Sequence, residues 1–102
     1  MLNKSIFDVA TELAAAHRKE DPDTRAIFLA DDPTEVRLVE VSGSIESTGE
    51  VLPFRFKARP DLGIPYASVI VLLSEAEWKD IEHGKLALPS GWGTPGSLKK
   101  IA

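Results

Sequence analysis

The chain has 102 residues, 43% of them hydrophobic and 27% charged, with a formal charge of -4 and no cysteine. That composition fits one globular domain, 1–102, with a modest core, and not a disordered chain. It excludes disulfides, thiolate metal sites and a cysteine nucleophile, and it disfavours general nucleic-acid or anionic-membrane binding, which needs clustered Lys and Arg.

The N-terminal residues are interrupted by Asn3, Lys4 and Asp8, so they contain no secretory apolar region. Nor does any apolar run approach the roughly 18 residues that cross a bilayer. Residues 5–19 predict an amphipathic helix. Ile6, Val9, Ala10, Leu13 and Ala16 recur at three- and four-residue spacing, and Ser5 or Asn3 can cap the start. His17, Arg18 and Lys19 place positive charge in the last turn, where it offsets the helix dipole. Pro22 ends the element.

Residues 25–30 predict a short strand, apolar on both faces. Asp31, Asp32, Pro33 and Thr34 form a turn by local side-chain hydrogen bonding and the fixed φ of proline. The strand expected over 35–42 alternates imperfectly, with Val36 and Leu38 on one face and Val39 and Val41 on the other. Either a bulge switches its faces or both are covered. Residues 43–49 are polar loop. Residues 51–59 alternate most cleanly: Phe54, Phe56 and Ala58 share one face, expected to be the core face, while Arg55, Lys57 and Arg59 form a basic outer stripe. Pro53 removes a ladder donor and belongs at an edge or a strand start.

Residues 66–73, rich in β-branched side chains, predict a strand buried on both faces. Ser74 and Glu77 then stand at capping-box spacing, and Gly84 supplies a residue that terminates a helix. Trp78 and Ile81 point that helix at the core, and Glu75 and Lys79 are spaced to pair on its surface. Residues 86–96 are dense in Gly and Pro and fit no regular element. The tail from 93 to 102 reads as frayed. The order is α-β-β-β-β-α. Short loops favour antiparallel neighbours, so the expected fold is α+β: a four-stranded, mainly antiparallel sheet with an N-terminal helix and a short C-terminal helix. Two helices leave part of such a sheet uncovered. Leu86, Leu88 and Trp92 are expected to return across it.

No motif carries chemistry. Asp31, Asp32 and Glu35 read as turn chemistry rather than a metal site, and no cofactor is implied. His17 and His83 both fall in last turns of helices, where the dipole alone accounts for them. The glycines from Gly91 to Gly96 lack the Lys, the leading strand and the following helix of a phosphate loop. The expectation is a small cytoplasmic, non-enzymatic domain acting through protein contacts, with a protein partner or a second copy. Its candidate contact residues are Trp92, Tyr66 and the stripe Arg55, Lys57 and Arg59. The alternative is a small-ligand binding protein or small enzyme, with a pocket between sheet and tail lined by Tyr66, His83 and Trp92. Nucleic-acid contact through the basic stripe ranks last, given the acidic total.

Overall fold

The computed structural model describes residues 5–32, 35–56 and 68–102. Helix α1, Ile6–Glu20, starts on a capping box in which the Ser5 hydroxyl accepts from the Asp8 amide at 3.1 Å and the Asp8 carboxylate accepts from the Ser5 amide. The strands are β1 (Thr24–Leu29), β2 (Arg37–Ser42), β3 (Pro53–Phe56), β4 (Ser68–Leu73) and β5 (Lys99–Lys100), with α2 (Glu75–Glu82) after β4 and one 3-10 turn at Pro95–Ser97. No helix among the described residues is long and apolar enough to cross a membrane.

The class is α+β, but the sheet is five-stranded and mixed, not four-stranded and mainly antiparallel. Its order is β3-β4-β2-β1-β5. β1 pairs antiparallel with β2 and with β5, β3 pairs antiparallel with β4, and β2 pairs parallel with β4 from Arg37↔Val69 to Val41↔Leu73. The physical reason lies in the connections. The segment 43–52 is long enough to carry the chain past the position beside β2. β3 therefore forms at the outer edge, and the more apolar β4 takes the central place. β5 falls in the segment expected to fray: the Ile101 amide donates to the Ile27 carbonyl at 2.9 Å, the Ile27 amide donates to the Ala102 carbonyl at 3.0 Å, and both terminal residues pack on the core.

β2 resolves the ambiguity of its pattern by being covered on both faces. The bulge sits in β1 instead, between Thr24 and Ala26. Leu38 belongs to a cluster with Val9, Ala10, Leu13 and Ala14 of α1, together with Ile27 and Ile70. Val39, one residue on, belongs to a separate cluster with Val71, Leu73, Ile81, Leu88 and Trp92. Since neighbouring strand residues point to opposite faces, α1 covers one side, and α2 with the tail covers the other. The tail returns across the sheet as its apolar residues suggest: Trp92 is 5% exposed and Leu88 is buried. Gly91 and Gly93, at φ 88° and 80°, flank Trp92 with left-handed backbone that L side chains rarely adopt. Trp78 stacks on Phe28, with ring centroids 4.6 Å apart.

α2 begins and ends as its residues require. The Ser74 hydroxyl accepts from the Glu77 amide, the Glu77 carboxylate accepts from the Ser74 amide at 2.9 Å, and Gly84 stops the helix at φ 75°. Glu75, expected to pair with Lys79, pairs with Arg25 at 2.9 Å on the surface.

Val71 is fully buried in the second cluster. Val71→Ala should cost roughly 1–3 kcal/mol, from lost transfer energy plus the small cavity left behind. The check is the urea midpoint, which should fall while the slope of the transition stays unchanged.

Candidate functional site

The site is set by how far a helix reaches. Strands lie roughly 4.8 Å apart, and a helix with its side chains is roughly 10 Å across, so one helix covers about two strands. α1 packs closest to β1, and its cluster extends across Leu38 of β2 to Ile70 of β4. The next residue in that row is Phe54, which pairs with Ile70 and therefore shares its face. Ile70 is fully buried, whereas Phe54 is 48% exposed. The expected core face of this strand is thus half open at Phe54. Alternation places Phe54 on the face of Ile70, but among the described residues no helix lies over it.

The segment 43–52 turns this uncovered edge into a cavity. Its anchor is the capping box of α2. Glu77 is 4% exposed, and both its oxygens are engaged. Oε1 accepts from the Ser74 amide, while Oε2 accepts from the Thr48 amide at 3.1 Å and the Thr48 hydroxyl at 3.3 Å. The Ser47 and Ser74 hydroxyls lie 2.6 Å apart. A helix cap therefore also ties down the loop before β3. Between loop and sheet lies a cavity of about 310 Å³, with Ile45, Leu52, Phe54 and Leu72 as apolar lining and Glu46, Glu50 and Glu77 as acidic lining. Leu52 is 53% exposed. Burial pushes the Glu77 carboxyl up, but the hydrogen bonds from Ser74 and Thr48 outweigh it and hold it below its ordinary range.

On the opposite face, Arg37 holds the tail. Its Nη1 donates to the Gly91 carbonyl at 3.1 Å, and its guanidinium carbon lies 5.6 Å from the centre of the Trp92 ring. Its Nε meets Glu35 at 2.9 Å and Asp32 at 3.0 Å. Two of the three clustered carboxylates are thus engaged with an arginine. Arg55 is largely exposed, with Nη1 3.6 Å from Glu35. Arg55 and Trp92 line a smaller cavity of about 180 Å³ with Glu35, Arg37, Pro53 and Val69. Trp92 is buried against the sheet and forms one wall of that smaller cavity. His83 caps the C-terminus of α2 and is exposed, away from both cavities. Tyr66, Lys57, Ala58 and Arg59 lie outside the described residues.

The sequence reading misses one polar cluster. The His17 Nδ1 lies 3.1 Å from Glu40 Oε2, and the Thr24 hydroxyl donates to Glu40 Oε1 at 3.1 Å. His17 thus does more than meet the helix dipole. Glu40 continues the inward face of Val36 and Leu38, so the alternation already placed a carboxylate inside, in need of partners. Nearby, the Ser42 and Ser44 hydroxyls donate to Asp21 at 2.6 and 2.9 Å and hold its carboxyl below its ordinary range. Together these groups clip the end of α1 to β2. Neither cavity described above is lined by His17, Thr24 or Glu40.

No family model, curated protein or solved structure matches the chain.

A carboxyl whose folded value is depressed stabilises the fold above its ordinary value, and that contribution is lost as pH falls through the folded value. For Glu77 the loss begins near pH 4.5 and deepens below it. The unfolding temperature should therefore fall in acid. Glu77→Gln should lower it at neutral pH and flatten the acid slope, as followed by circular dichroism across a pH series.

Proposed function

We propose that this chain is a non-enzymatic domain that acts through protein contacts, and that its contact surface is the apolar cavity beside β3. The observation that carries this reading is the pair Leu52 and Phe54, 53% and 48% exposed, over a cavity with an apolar floor. Exposed apolar residues grouped together and rimmed by polar ones are a mark of interaction sites. Among the described residues the other large exposed apolar side chain, Phe7, is partly shielded by the Lys99 ammonium 4.4 Å from its ring centre.

This reading moves the contact from Trp92, Tyr66 and the stripe Arg55, Lys57 and Arg59 to Phe54 and Leu52, with Arg55 on the other side of the same strand. A small-ligand or enzyme pocket between sheet and tail has less support, because the cavity beside Trp92 is only about 180 Å³ and His83 does not line it. Nucleic-acid contact also has less support, because Arg55 already lies near Glu35. A cytoplasmic setting accords with the cysteine-free sequence.

The test is site-specific photocrosslinking in cells that make the protein. A photoreactive phenylalanine analogue at position 54 should give a discrete adduct with a protein. The same group at position 11, an exposed site on α1, should not. The adduct should disappear when Leu52→Asp is added. The same adduct pattern from both positions, or no adduct from position 54, contradicts the proposal.

A further inference from the structure

Resting on that reading, we infer that the occupant is an extended segment of a partner protein, added as a strand along β3, with an apolar side chain in the cavity and Lys or Arg beside it. Three observations carry the choice.

The first is topology. β3 is the outermost strand of its side of the sheet, and an edge strand presents outward N–H and C=O groups that can pair with another chain. Among the described residues no strand takes that place. Pro53 lacks an amide proton at an outward-facing position, but Arg55, the next residue that faces outward, keeps its donor, and the carbonyls of both can accept. Main-chain pairing supplies affinity in such additions, and pockets for alternate side chains supply selectivity.

The second is charge. Glu46 and Glu50 line the cavity, are exposed and enter no ion pair among the described residues. Glu77 is already committed to Ser74 and Thr48. Side chains of an added strand point to one face at every second residue. The face shared with Phe54 therefore offers an apolar floor for one position and unpaired carboxylates for its neighbours two residues away. An apolar residue spaced two from Lys or Arg matches both.

The third is size. A stable interface between two proteins buries roughly 800 Å² on each side, and here the exposed apolar surface comes chiefly from Leu52 and Phe54. A second copy would also bring its own Glu46 and Glu50 against this acidic rim, within a chain of net charge -4. A short strand needs little area and supplies the missing positive charge.

The experiment selects binders from a random peptide library displayed on phage, using the full chain as bait. Enriched peptides should alternate, with an aromatic or aliphatic residue two positions from Lys or Arg. Binding of one such peptide should slow hydrogen exchange at the Arg55 amide, which points away from β4. Affinity should fall by about tenfold in the Glu46→Lys, Glu50→Lys double variant, on the scale of two exposed charge pairs, and should weaken with added salt. Both reversed residues are exposed, and circular dichroism checks that the variant keeps its fold. Enriched peptides that leave β3 exchange unchanged, or that bind the double variant equally well, overturn the inference. So does the absence of enrichment. If the free chain is a dimer that Phe54→Asp converts to a monomer, strand addition by a partner fails while the contact surface stands. If peptides map elsewhere and the crosslink at position 54 is also absent, both fail.

Discussion

The structure depends on a central parallel pair, β2 and β4, that is apolar on both faces. Val39, Ile70, Val71 and Leu73 are fully buried, and they point to opposite sides of the sheet. One layer of helix cannot satisfy them. α1 serves the side of Leu38 and Ile70, and the side of Val39 and Val71 receives α2, which is only eight residues long. The shortfall is made up by the tail. Burying a Trp contributes on the order of 2–3 kcal/mol from area alone, set against the entropy of ordering a Gly-rich segment. The contacts from Arg37 to Gly91 and to the Trp92 ring help hold that segment in place.

The same constraint determines where cover runs out. Once α1 is centred near β1, β3 lies three strand spacings away, beyond the width of a helix. The row from Leu38 through Ile70 therefore ends in a half-exposed Phe54. The loop over that edge is held by Glu77, a residue whose primary task is to cap α2. Helix start, loop position and cavity shape are thus coupled through one carboxylate with two oxygens. A surface that results from incomplete cover is not accidental debris when a cap defines its wall and, among the described residues, no strand pairs with the edge alongside it.

Local features are legible in the sequence. The Ser74–Glu77 cap, the stop at Gly84, the face of α1 and the return of Trp92 all follow from spacing and residue type. What is not legible depends on placement. Alternation groups Phe54 with its neighbours, but it does not say whether a helix lies above them. Loop length permits β2 to neighbour β3, yet the chain passes that position and gives it to β4. β5 is two residues long, too short for any periodic signal, and forms because β1 offers an open edge. The contact between His17 and Glu40 joins residues 23 apart in sequence, and only the inward phase of Glu40 hints that it needs a partner. The cavity beside β3 is of this second kind, since Ile45, Leu52, Phe54 and Leu72 come together only after the strands are ordered.

The central claim is that Leu52 and Phe54 form an open surface rather than a poorly packed part of the core. The most direct measurement is the thermal unfolding midpoint of the Leu52→Ser, Phe54→Ser double variant. For a domain of this size each kcal/mol shifts the midpoint by about 4–8 °C. The account predicts a midpoint within about 4 °C of the parent, because half-exposed side chains contribute little to the fold. A fall of more than about 15 °C, the size expected from removing two core side chains, would show that these residues hold the domain together and would contradict it.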